Sequence, residues 1–160
     1  MTTTKKNDFM LDACELALQS VQEKNGGPFG AVIVNKEGIT IGSGHNRVTL
    51  DNDPTAHAEI VAIRDACQNN KNFILDGCTI YSSCEPCPMC LSAIYWARIE
   101  KIYYANTRQD AKDIGFDDAF IYEEIPKKDE ERSISIKREE CDIRLNAFQE
   151  WQEKNEKTCY

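Results

Sequence analysis

Thr79-Ile80-Tyr81-Ser82-Ser83-Cys84-Glu85-Pro86-Cys87-Pro88-Met89-Cys90 reads as a strand, a turn and the start of a helix in one continuous run. Thr79 to Ser82 is short, apolar-aromatic and β-prone. Cys87 to Ala97 predicts a helix with Pro88 in its first turn, where a missing N–H removes no helical hydrogen bond. Two cysteines three positions apart in that turn share a helix face, and the exposed N–H groups and dipole there favour thiolates over thiols.

Outward from this run the same alternation continues. Ile99 to Ala105 predicts the next strand, and Asp110 to Tyr122 has helical character around a break at Gly115. Upstream, Asp53 before Pro54 has the form of an N-cap followed by proline, so a helix is expected from just ahead of His57 to Cys67. Ala31 to Val34 and Ile39 to Ile41, separated by Lys36-Glu37-Gly38, predict a hairpin. It follows a break at Gly26-Gly27-Pro28-Phe29-Gly30. Phe9, Ala13, Leu16, Ala17 and Val21 fall at helical spacings and predict a first helix over Asp8 to Val21. Beyond the centre, Glu123 to Glu140 is highly charged, with one short strand expected around Ile134 and Ile136, and Leu145, Phe148, Trp151 and Gln152 predict a terminal helix with an apolar stripe. The order is that of an α/β domain.

With 160 residues and no Pro/Gly/Ser-rich divider, the chain is expected to form one domain over 1–160, burying about 70% of the surface of its unfolded form. Its longest apolar runs fall far short of the ~18 residues of a membrane span, and Met1 to Asp8 is polar, so neither signal peptide nor anchor is expected and the location expected is cytoplasmic. Eight cysteines in 160 residues lie below the ~8–10% of disulfide scaffolds. Five are scattered and read as small buried apolar residues, whereas Cys84, Cys87 and Cys90 cluster. Nineteen basic and 27 acidic residues give a net charge of −8, which repels a polyanion and fits a small uncharged substrate better than nucleic acid.

His57-Ala58-Glu59, also at a helix start, adds an imidazole to the two sulfurs. One histidine and two cysteines leave the fourth corner of a zinc tetrahedron open, the mark of a catalytic rather than a structural site. Zinc lowers the pKa of bound water toward about 7, and Glu59 stands close enough to His57 to move protons without joining the metal. Two alternatives use the same residues. Cys84 or His45 could close a structural site, and Cys84, Cys87 and Cys90 could begin an iron–sulfur run, although position 94 is isoleucine where that run needs cysteine.

His57-Ala58-Glu59 and Pro86-Cys87-Pro88-Met89-Cys90 match the H-x-E…P-C-x-x-C signature of the zinc deaminases. The chain resembles the cytidine deaminase superfamily, and most closely its guanine deaminase branch. The resemblance runs from Gly26-Gly27-Pro28-Phe29-Gly30 through Asn52 to Glu59 and Ser83 to Cys90, to Gly115-Phe116-Asp117-Asp118 and the terminal Tyr160. It implies a three-layer α/β/α fold with a mixed central sheet of about five strands, one Zn2+ per chain on His57, Cys87 and Cys90, and Glu59 as catalytic proton carrier. It further implies hydrolysis of guanine to xanthine and ammonia, and a homodimer whose C-terminal segment (about 143–160) covers the site, in some members from the other subunit.

By the same resemblance Asn46 and Asp118 are substrate ligands, with Tyr160 near the base and Phe29 and Trp96 as aromatic walls. Asp117 can exchange roles with Asp118, and Phe29 and Trp96 can equally be core. A turn asparagine can also bond its own backbone, and a last residue commonly frays. Competing readings are a tRNA adenosine deaminase, against which the charge and Gly-Phe-Asp-Asp speak, a cytosine or guanosine deaminase, and a non-catalytic zinc module in which Glu59 has no purpose.

Overall fold

The computed structural model describes residues 8–160, in two compact units, one ending at Ala119 and one spanning Phe120–Tyr160. The first contains α1 (Phe9–Gln22), β1 (Gly30–Val34), β2 (Thr40–His45), α2 (Val48–Asp51), α3 (Ala58–Asn70), β3 (Thr79–Cys84), α4 (Pro88–Trp96), β4 (Lys101–Asn106) and α5 (Arg108–Asp113). The sheet order is β2-β1-β3-β4. β1 pairs antiparallel with β2 and β3, while β3 and β4 run parallel, a pairing that needs a crossover and obtains it from α4.

β1 is buried along its whole length, and its side chains alternate between two cores. Ala31 and Ile33 join Ala58, Ala62 and Ala66 of α3 and Ile94 of α4. Val32 and Val34 join Ala13 of α1, with Phe9 and Tyr81 against them. A sheet with helices packed on both faces is the expected α/β/α sandwich, its mixed sheet counting four strands among the described residues rather than five.

The α3 layer lies unusually close to β2. A Cβ on Gly42 would stand 2.6 Å from the Ala62 carbonyl oxygen and from the Ala66 Cβ, and one on Gly44 would stand 2.6 Å from the Ala58 carbonyl oxygen. Alanines on the helix and glycines on the strand thus bring the two backbones together, and this sets where α3 begins.

Three expectations are corrected. Asp53 does not cap α3, because its carboxylate is taken up by the Thr55 N–H at 2.8 Å and the Thr55 hydroxyl at 2.6 Å, forming a local turn; the cap residue is His57. The second strand runs on to His45, because Gly42 and Gly44 serve helix approach instead of breaking the strand. No strand forms at Ile134 and Ile136, which find no neighbouring strand to pair with; Ile134 is 75% exposed.

The second unit carries α6 (Ala119–Glu124) into a 3-10 turn (Asp129–Glu131) and α7 (Asn146–Glu153). Glu124 organises it, its carboxylate accepting from the Ser133 N–H at 2.7 Å and hydroxyl at 2.9 Å and pairing with Lys127. The apolar stripe of α7 is exposed, Phe148 at 71% and Trp151 at 41%. Among the described residues no helix is long and apolar enough to cross a membrane.

Gly44→Ala ordinarily favours a strand slightly. Here we expect it to lower stability by about 1–3 kcal/mol, the usual cost of overpacking, read as an earlier urea midpoint. An unchanged midpoint would show that the helix is free to retreat.

Candidate functional site

His57 and Cys87 are the N-cap residues of α3 and α4, both in extended backbone conformation, and neither side chain makes the usual capping hydrogen bond. Each is therefore free to face the other. Cys87 Sγ and Cys90 Sγ both lie 3.5 Å from His57 Nδ1, and the three donor atoms fall within 4.8 Å of one another, the one such metal-binding group among the described residues. Cys90, one turn into α4, is fully buried.

The electrostatics suit a cation. A hydrogen bond from Cys90 holds the Cys87 thiol down at about 4 despite its burial. That shared proton, and then burial, push Cys90 up. His57 is raised chiefly by its hydrogen bond with Cys87. A divalent ion would displace the shared proton, since a coordinating thiol is deprotonated outright. One imidazole and two sulfurs converging at helix N-termini fit zinc with an open fourth corner.

Cys84 is not the missing corner: it lies outside the His57–Cys87–Cys90 group, and its thiol donates to the Thr107 carbonyl oxygen at 3.6 Å. His45 turns its Nδ1 to the Asn46 carbonyl oxygen at 3.1 Å. Ile94 is a core residue, which disposes of the cluster run.

Glu59, in the first turn of α3, is 6% exposed, and burial pushes its carboxyl up. The Ser82 hydroxyl donates to its Oε1 at 3.4 Å. A carboxyl beside a metal triad, its pKa raised by burial, is the usual form of a general acid–base group.

His57 and Glu59 line a cleft of about 620 Å³ together with Phe29, Asn46, Phe116 and Asp118. Phe29 and Phe116 meet edge to face, ring centres 5.0 Å apart. Asp117 is occupied, accepting from the Ala119 N–H at 3.0 Å and pairing with Lys112 at 3.1 Å. Asp118 is raised by burial and then by the Cys87 sulfur. The structure thus brings Asn46, Phe29 and Asp118 to the triad. Trp96 is elsewhere, the last residue of α4, 63% exposed and outside the cleft lining. Tyr160 belongs to the second unit and is 74% exposed.

Phe116 and Ser82 were not singled out from the sequence. Phe116 sits in a glycine turn where an aromatic could have been flagged, whereas nothing marks Ser82 until the strand faces α3.

The sequence pattern of the cytidine and deoxycytidylate deaminase zinc-binding region matches residues 3–106. The chain is 52% identical to the guanine deaminase of Bacillus subtilis over 143 residues, 89% of this chain and 91% of that protein. It is 32% identical to the tRNA-specific adenosine deaminase of the same organism over 145 residues, 91% and 89% of the two chains. The X-ray structure of guanine deaminase from Bacillus subtilis superposes with a TM-score of 0.92 at 49% identity, covering 97% of this chain and 99% of that one.

Elemental analysis separates ligands from bystanders. Cys90→Ala should lose most of its zinc, while Cys84→Ala should keep about one ion per chain, as a three-ligand site requires. Zinc loss from Cys84→Ala would reinstate a closed site.

Proposed function

We propose that this chain, which belongs to the cytidine and deoxycytidylate deaminase zinc-binding family, hydrolyses guanine to xanthine and ammonia. The observation that carries the reading is a buried carboxyl, Glu59, beside a histidine and two cysteines at the end of a cleft sized for a heterocycle. The 52% identity to a guanine deaminase along nearly the whole chain supports the choice of base. His57, Cys87 and Cys90 would hold a zinc ion, which would supply Lewis-acid activation of water.

Glu59 carries the protons. Its carboxylate takes one from the attacking water and delivers it to the ring nitrogen next to C2, then takes the proton of the new C2 hydroxyl and passes it to the departing amine. A C–O bond forms at C2, the C–N bond breaks, and the carboxylate is regenerated. Burial raises the Glu59 carboxyl, which favours its taking up a proton. Asp118 accepts from the N–H groups of guanine, Asp117 being engaged with Lys112 and Ala119. Phe29 and Phe116, packed edge to face on one another, form an aromatic wall for the flat ring.

Removing the carboxylate while keeping its shape separates chemistry from metal binding. Glu59→Gln should retain zinc and lose about 10²–10⁴-fold in kcat, the usual share of a general acid–base group. Ammonia release should be greatest from guanine when guanosine, adenine, cytosine and cytidine are assayed beside it. A variant within about tenfold of the wild type would remove Glu59 from its role, and a preference for another base would replace the substrate. A tRNA substrate is disfavoured by the charge of −8.

We also read the protein as a cytoplasmic homodimer forming one functional domain over 1–160, with residues from about 143 to Tyr160 covering the substrate. Supporting this are eight cysteines that all remain free and the exposed apolar stripe of α7. Deleting the last five residues should reduce turnover about tenfold or more while zinc stays bound; undiminished activity would restore Tyr160 to an ordinary frayed end.

A further inference from the structure

Asn46, 5% exposed, has nearly all of its polar atoms committed to the chain. Its N–H donates to the Phe29 carbonyl at 2.9 Å, and its own carbonyl accepts from the buried Ser20 hydroxyl at 3.1 Å. The side-chain oxygen accepts twice, from the Gly27 N–H at 3.1 Å and the Val48 N–H at 3.2 Å. Two lone pairs are all an amide oxygen offers, so neither is left for a ligand. Two backbone donors also admit only the oxygen at that position, which settles which way round the amide sits.

Among the described residues Nδ2 meets no partner, and it is not a fully buried atom without a hydrogen bond. Because Asn46 lines the cleft, its contribution there is a donor and never an acceptor.

This arrangement depends on position 26. A Cβ on Gly26 would stand 2.3 Å from the Asn46 Oδ1 and 2.6 Å from its carbonyl oxygen, closer than real side chains come. With no side chain there, the loop closes on Asn46 and brings the Gly27 N–H to the amide oxygen.

We infer that Gly26 is a positioning residue for base selection: its bare Cα lets two backbone N–H groups grip the Asn46 amide oxygen, so that the cleft presents a lone donor to an acceptor edge of a 6-oxopurine. The inference rests on the guanine deaminase reading and deepens it. An acceptor at O6 or N7 is welcomed, and an amine at the 6-position meets a donor with a donor.

The test compares guanine with 2-aminopurine, which lacks O6, and 7-deazaguanine, which lacks the N7 acceptor, in the zinc-loaded full chain. The wild type should favour guanine over at least one analogue by about tenfold or more, the cost of an unmet buried donor. In Gly26→Ala the KM for guanine should rise about tenfold with a smaller change in kcat, and the preference should shrink to within about threefold. Asn46→Asp keeps an acceptor for Gly27 and Val48 but cannot donate, and should lose the same preference with zinc and melting temperature retained, so the question stands even where Gly26→Ala fails to fold.

Calorimetric Kd values for the three bases report the preference without turnover. No ammonia from guanine in the wild type would count against the reaction. An intact preference in both variants, or equal loss on all three bases, would overturn the positioning role.

Discussion

Two helices that start at the same point in space are the constraint on which this protein turns. α3 and α4 each begin with a residue that leaves its own helix uncapped, His57 in one and Cys87 in the other, and the uncapped side chains meet at 3.5 Å. Leaving a helix end without its side-chain cap typically costs about 1 kcal/mol. The chain accepts that cost at both ends because the same N–H groups and dipoles that go uncapped favour the thiolate a cation requires.

The meeting point is held from outside the site. Ala58, Ala62 and Ala66 on α3 lie against Gly42 and Gly44 on β2, and the Asp53 turn fixes the approach to His57. On the other side Glu85 accepts from the Arg108 N–H at 3.0 Å, and the Asn106 amide donates to the Ser83 carbonyl at 2.8 Å, fastening the cysteine loop to β4 and α5. The cleft wall bearing Phe116 and Asp118 follows directly after α5. The zinc-ligand residues, Glu59 and the residues proposed to contact the base therefore rest on one scaffold of short backbone contacts, which is how a site keeps reacting groups within the few tenths of an ångström that catalysis needs.

The site also shows how polar groups are divided between fold and ligand. Glu59 is buried, accepting a long hydrogen bond from Ser82, and burial raises its carboxyl. Asn46 is the converse, its oxygen wholly engaged by the backbone and its nitrogen left over. Asp117 and Asp118 both line the cleft, and Asp117 is in addition bound to Lys112 and Ala119. In each case the structural use of one atom decides what its neighbour can offer a substrate.

Much of this was legible in the residue order. Helix and strand periodicities located every strand and every helix of the first unit except the short α2, and the spacing of His57, Glu59, Cys87 and Cys90 contained the metal chemistry, because ligand type and helix-start position are local properties. What sequence could not supply was distance between segments. It read Asp53 as a cap, the second strand as ending at Ile41, and Ile134 to Ile136 as a strand, since a cap, a close approach and a partner strand each depend on what lies opposite. It could not tell that Asp117 pairs with Lys112, nor which end of the Asn46 amide the Gly27 and Val48 N–H groups hold. Those choices belong to the tertiary structure, because a hydrogen-bonding group is assigned by its neighbours in space, and those neighbours lie far away along the chain.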